Sequence, residues 1–184
     1  VAYNRNRIEK LSDALKKDTE EAMKQNIEIN SLLFEGDPTN AIYAVRSLGI
    51  DPSTGNELYL DRNGNITETW NVADKVFLGT YDPKFRGNIS SLFQWRGLSL
   101  NLAFGFHFGG YQYNTTLLNK VEIDKSMIAA GNVDRRVYSD RWQKPGDVKF
   151  FKKIDDTPTK ATSRFVMKDN VLELQNVTLQ YTFD

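Results

Sequence analysis

Residues 87–113 read GNISSLFQWRGLSLNLAFGFHFGGYQY, and this stretch decides the fold. From Leu98 to Phe108 every second residue is apolar, while the residues between them are small or polar. A period of two predicts a β-strand with one apolar face. With a rise of about 3.4 Å per residue and a tilt of about 40°, this strand spans about 26 Å, close to the apolar band of a membrane β-barrel.

A second alternating strand precedes this one, over residues 88–95. Arg96-Gly97 separates the two strands and predicts a two-residue hairpin turn, because glycine readily adopts a positive φ. Aromatic residues mark both ends of the apolar face, with Trp95 at the turn and Tyr111 and Tyr113 at the far end. This pattern is typical of the aromatic girdles that lie at the two membrane interfaces.

A soluble sheet packed on a core would produce the same alternation, so a soluble β-rich carbohydrate-binding module remains an alternative. Strands of soluble domains usually run only about 5 to 6 residues, however. A soluble domain also needs a second apolar surface to cover the first. The chain offers only short candidates for it, such as Ile42–Val45 and Val171–Leu179.

The rest of the chain is uneven. Residues 5–25 are expected to form a solvated surface helix. Residues 36–80 are predicted to be turn-rich β structure, with a hairpin at Asn63-Gly64. Residues 115–163 show no long alternation and are predicted to be a long loop with a short helix within 115–130. The last segment, 171–183, alternates again and predicts a further strand.

One connection is therefore two residues long, and the next exceeds fifty. Outer-membrane barrels combine short periplasmic turns with long extracellular loops. We therefore expect residues 36–80 and 115–163 to be long extracellular loops beside the hairpin 87–113. The sequence predicts an all-β fold, an antiparallel transmembrane β-barrel segment that forms an incomplete barrel, with short helical insertions.

Composition sets wider limits. The 24 basic and 24 acidic residues cancel, so no charge footprint for nucleic acid is visible. Cysteine is absent, which excludes disulfide frameworks and thiolate metal sites. The chain contains no run of 18 apolar residues, so the sequence predicts no transmembrane helix. If the protein is exported, we expect its export signal to lie upstream of Val1.

Four segments, in order, resemble the SusC/RagA family of TonB-dependent outer-membrane transporters. Residues 41–67 are similar to that family's "G-DP-TG-p-y-d-dGn-T" stretch, and residues 79–88 to its entry into a barrel strand. Residues 108–114 resemble its "GG-~-~-yN" strand exit, and residues 172–182 resemble its "R-L-~-N-~-tL-Y-t" strand, with Glu173 where the family usually has arginine. The resemblance implies a C-terminal barrel portion, truncated at both ends, in the bacterial outer membrane.

The resemblance also implies a function and partners. Such transporters import oligosaccharides or other polymer-derived nutrients, including peptides, with energy delivered through TonB. A SusD-like surface lipoprotein caps them, and outer-membrane lipid surrounds the barrel. The resemblance implies neither a nucleic-acid partner nor a cofactor.

Candidate chemistry is sparse. His107 is the single histidine, and no second ligand lies at metal-binding spacing. No catalytic, cofactor-binding or metal-ligating set can be assembled, so the sequence predicts a protein that is not an enzyme. Aromatic residues at loop or rim positions are candidates for stacking on a substrate. They are Trp70, Tyr111, Tyr113 and Trp142. Interface anchoring is an equal explanation for the two tyrosines.

Overall fold

The computed structural model describes residues 1–27 and 32–183, whose strands form two antiparallel sheets. The strands are β1 (Ala2–Tyr3), β2 (Ala41–Ile50), β3 (Glu57–Leu60), β4 (Ile66–Thr67), β5 (Lys75–Thr80), β6 (Phe85–Trp95), β7 (Leu98–Tyr113) and β8 (Val166–Tyr181). The long sheet has the order β1-β6-β7-β8, and the small sheet has the order β4-β3-β2-β5. Within the described residues neither sheet closes into a barrel.

Within the described residues, four α-helices accompany the sheets. They are α1 (Asp13–Gln25), α2 (Thr115–Lys120), α3 (Lys125–Ala130) and α4 (Arg136–Ser139). Helix α1 is shorter than the predicted 5–25, because the Ser12 side chain caps its start by accepting a hydrogen bond from the Leu15 amide. The left-handed Asn26, at φ 53°, ends it. Among the described helices, none is long and apolar enough to cross a membrane.

The hairpin forms as the alternation predicts. Trp95 lies opposite Leu98 at the turn, and Phe85 lies opposite Phe108 at the far end. Arg96 and Gly97 have φ values of 44° and 78°. Positive φ at both central residues belongs to the tight turn whose twist matches the flanking strands.

Strand β8 starts before the predicted residue 171 and contains a β-bulge. Leu102 lies opposite Val177, but Phe104 lies opposite Leu174, so Gln175 is an extra residue on β8. The extra residue reverses the alternation at this point. Apolar residues with odd and even numbers along β8 therefore share one face of the sheet.

The small sheet is formed by residues within 36–80, the segment predicted from the sequence to be turn-rich β structure. Its predicted two-residue turn at Asn63-Gly64 is instead a five-residue loop, because Leu60 pairs with Ile66. The Asp61 carboxylate organises this loop by accepting hydrogen bonds from the side chain and backbone of Asn65 and from the Asn63 amide. These hydrogen bonds lower the pKa of Asp61, and the bond from the Asn65 side chain has the largest effect.

Residues 114–165 pack around an apolar core of their own. The core consists of Val121, Ile123, Val137, Phe151 and Phe165. Two short helices, α2 and α3, replace the single predicted one, because the residues between them turn inward to this core. The buried Arg141 donates to the carbonyls of Val121, Ile123 and Lys152 and so fixes the backbone around it. The long segment is thus an ordered unit.

Candidate functional site: a two-faced sheet and the loop unit beside it

One face of the long sheet is apolar across three strands. In β7 the face consists of Leu98, Leu100, Leu102, Phe104, Phe106 and Phe108. Its apolar register partners are Phe85, Ile89, Phe93 and Trp95 in β6 and Leu172, Leu174, Val177, Leu179 and Tyr181 in β8, and the small residues Gly87 and Ser91 are the remaining partners in β6. Many of these side chains are uncovered, with Trp95 68% and Leu179 67% exposed. A contiguous apolar surface of this kind marks contact with a partner or a membrane.

The opposite face is largely polar. Arg86 lies beside His107 in the register, and Gly105 lies between Asn88 and Glu173. These residues line an open cleft of about 700 Å³. His107 is within 3.2 Å of the Asp169 carboxylate, measured from its Nε2 atom to Oδ2. The cleft can therefore contact a polar molecule or polypeptide through groups of both charges.

The bulge residue Gln175 contributes to this polar face. Its amide lies over Gly105, where a Cβ atom would collide with it. Gly105 is buried although it stands in a row of polar residues. The bulge therefore supplies a polar group to the cleft while the neighbouring leucine and valine stay on the apolar face.

A buried ionic cluster connects the loop unit to the small sheet. Arg164 donates to the Glu57 carboxylate at 2.8 and 2.6 Å and to the Glu122 carboxylate at 2.9 and 3.3 Å. The side chains of Arg164, Glu57 and Glu122 are only 6%, 1% and 0% exposed. Burial by itself would lower the pKa of Arg164, but the hydrogen bonds that Arg164 donates to the two carboxylates outweigh it and raise that pKa. Arg164 therefore stays charged and holds both elements.

The two candidate tryptophans are fixed at their polar edges. The Trp70 indole donates from Nε1 to the Ala161 carbonyl at 3.0 Å, and Lys75 and Lys160 lie 5.6 and 6.0 Å from its ring centroid. Trp142 donates from Nε1 to the Pro52 carbonyl at 2.9 Å. Trp70 lines a polar cleft of about 390 Å³. Trp70 therefore combines a half-buried ring with an adjoining cleft.

The two candidate tyrosines lie between the long sheet and its neighbours. Tyr111 is half-buried against the backbone of Gly79 in β5. The Tyr113 ring is 6.1 Å from the ring of Phe165, which belongs to the loop core. The structure therefore brings none of the four candidate aromatics together into one cluster, and the tyrosines join the long sheet to the small sheet and to the loop unit.

In residues 1–27 and 32–183, no three His, Cys, Asp or Glu side chains are grouped so that they could hold a metal ion.

Sequence analysis did not identify the Arg164 cluster, because its members are separated by 107 and 42 residues. Two isolated glutamates and an arginine in a charged chain carry no local signal.

Solved structures of transporter components contain the same fold as this chain. The structure of the RagAB peptide transporter matches with a TM-score of 0.64 at 20% identity, over 80% of this chain and 17% of that chain. The RagAB peptide importer in its 'closed-closed' state matches with a TM-score of 0.66 at 21% identity, over the same shares of the two chains. Its 'open-open' state matches with a TM-score of 0.63 at 18% identity, over 80% and 16%.

The chain thus spans about a sixth of the length of these solved structures. No protein-family model and no curated protein matches it. At this identity the likeness concerns the fold, which is a partial, mostly antiparallel β structure with short helices.

Proposed function

We propose that this chain is part of the β-barrel of a TonB-dependent outer-membrane transporter of the SusC/RagA class. The observation that carries the proposal is the apolar face of β6, β7 and β8. It continues in register over three strands, and on β7 it has the length that a tilted strand needs to cross the apolar band of an outer membrane. The polar opposite face suits the lumen of a transport barrel.

Two further observations support the proposal. The sequence segments that resemble the SusC/RagA family lie in β2 and β3, at the start of β6, at the end of β7 and in β8. The solved structures that share the fold are transporters or importers of peptides by their descriptions. One indication rests on motifs and the other on backbone geometry.

A soluble carbohydrate-binding module fits the structure less well. Such a module would have to bury the apolar face of the long sheet, yet the small sheet and the loop unit pack elsewhere and leave this face exposed. At about 25 cal/mol per Å², apolar surface left in water is a considerable cost.

In the proposed arrangement, residues 36–80 and 115–163 are extracellular and form the small sheet and the loop unit. The cargo would be an oligosaccharide or a peptide. A SusD-like lipoprotein would cap the extracellular side, and TonB would provide the energy from the periplasm. The protein would act as a transporter and catalyse no reaction.

Spin labelling of the full-length protein in lipid vesicles tests the membrane position. A nitroxide at Leu102→Cys should be accessible to oxygen but not to a water-soluble nickel chelate. A nitroxide at Asn101→Cys should instead be more accessible to the nickel chelate than to oxygen. Uptake of labelled peptides or oligosaccharides that requires TonB tests the transport activity. Nickel access at Leu102 equal to that at Asn101 would exclude the membrane position, and uptake unaffected by loss of TonB would exclude the transporter class.

A further inference from the structure

A cation lies at the edge of the apolar face, at the two-residue turn. The guanidinium carbon of Arg96 is 5.1 Å from the centroid of the Trp95 ring. Trp95 belongs to the apolar face, so this contact holds the charge on the apolar side of the sheet. No carboxylate within residues 1–27 and 32–183 forms an ion pair with Arg96.

Aromatic rings surround this end of the face. Tyr181 lies opposite Leu98, beside the turn, and its ring meets that of Phe183 edge-on at 4.8 Å. The Thr182 amide donates to the Gly97 carbonyl at 2.8 Å, so β8 is bound to the turn itself. Trp95, Tyr181 and Phe183 are 68%, 54% and 84% exposed. The amphipathic rings of Trp95 and Tyr181 are typical of the depth at which lipid headgroups begin.

The turn also fixes the position of the charge. Arg96 has a φ of 44°, in the left-handed region that residues other than glycine rarely adopt. A two-residue turn between fully paired strands leaves the backbone little freedom, and the contact with Trp95 orients the side chain further. The guanidinium is therefore held close to one end of the apolar band.

We propose that Arg96, together with Trp95 and Tyr181, binds the phosphate group of a membrane phospholipid at one surface of the bilayer. The inference rests on the proposed function, because a phosphate lies at this height only when the apolar face is in a bilayer. The planar guanidinium can bind two phosphate oxygens at once, which an ammonium group cannot do in the same geometry. The acyl chains of the same lipid would cover the apolar residues next to the turn.

Native mass spectrometry of the full-length protein in detergent tests the site, with phosphatidylglycerol as the probe. Digalactosyl diacylglycerol with the same acyl chains is the phosphate-free comparison lipid. Arg96→Gln should weaken binding of the first phosphatidylglycerol by about tenfold, as expected for the loss of one charge-assisted contact. Arg96→Lys should weaken it less. Arg62→Gln, in the exposed loop after β3, is the matched control and should leave it unchanged.

Three outcomes would overturn the inference. The first is equal phosphatidylglycerol binding by Arg96→Gln and the wild type, and the second is an equal loss in Arg62→Gln. The third is displacement of the lipid by millimolar inorganic phosphate, which would indicate a free-anion site. The spin label at Leu102 separates this test from the proposed function. If that label lies in lipid while Arg96→Gln has no effect, the membrane position stands and only the phosphate site is wrong.

Discussion

The indole ring of Trp142 packs against Gly55. A Cβ atom on Gly55 would come within 2.5 Å of two carbons of that ring, and Trp142 also donates to the Pro52 carbonyl. The contact joins the loop unit to the turn between β2 and β3. Trp142 therefore has a structural role at this turn.

The first prediction is that Gly55→Ala destabilises the loop unit. Gly55 has a φ of +73°, so alanine is strained there, and the indole must also move. Together these effects should cost about 3 kcal/mol. Limited proteolysis of the detergent-solubilised full-length protein, followed at increasing denaturant concentration, measures this change.

Two other glycines separate the two causes. Gly64 has a φ of +86° but no atom near its Cβ position, so Gly64→Ala should cost only the backbone strain of about 1–2 kcal/mol. Gly131 has an extended backbone and open space, so Gly131→Ala should be close to neutral. Equal effects at Gly55 and Gly64 would contradict the role of the indole contact.

The second prediction concerns the two faces of β7. Leu102 lies between Ser91 and Val177 on the apolar face, and Asn101 is its neighbour on the polar face. Leu102→Arg should destabilise the full-length protein by about 2–4 kcal/mol in a bilayer, because it brings a charge near the middle of the apolar band. Asn101→Arg should cost much less. Folding titrations into lipid vesicles compare the two, and equal costs would refute the assignment of faces.

The third prediction concerns the Arg164 cluster. Arg164→Met leaves the buried carboxylates of Glu57 and Glu122 without their cation, which should destabilise the protein by about 3–5 kcal/mol. Adding Glu57→Gln and Glu122→Gln should recover part of that loss, because the uncompensated charges are then absent. Chemical denaturation of the three-residue variant and of the single variant tests this. A triple variant less stable than Arg164→Met would contradict the electrostatic explanation.

The hairpin could be predicted from sequence because its information is local. Period-two alternation identifies β6 and β7, and Arg96-Gly97 identifies the turn. The bulge at Gln175 could not be predicted in this way, since it is defined by the register of β8 against β7. The hydrogen bonds of Trp70 and Trp142 could not be predicted for a similar reason, because their partners are 91 and 90 residues away.

The fourth prediction is the orientation of the sheet in the outer membrane. In intact cells, a membrane-impermeant maleimide should label Tyr138→Cys, an exposed position in the loop unit, and should not label Arg96→Cys at the turn. The described segment contains no native cysteine that would react. Permeabilising the outer membrane should make Arg96→Cys reactive. Labelling of the turn alone in intact cells would reverse the proposed orientation.

The last prediction is that these 184 residues, expressed alone, aggregate or require detergent. In the described residues the outer edge of β8 has no strand partner, and β1 pairs with only two residues of β6. Unpaired strand edges promote association in water, and each unsatisfied backbone group costs several kcal/mol in lipid. The apolar face adds to this cost, since residues such as Leu172 at 65% exposure remain uncovered. Sedimentation as a monomer in plain buffer with a cooperative melt would instead favour the soluble module.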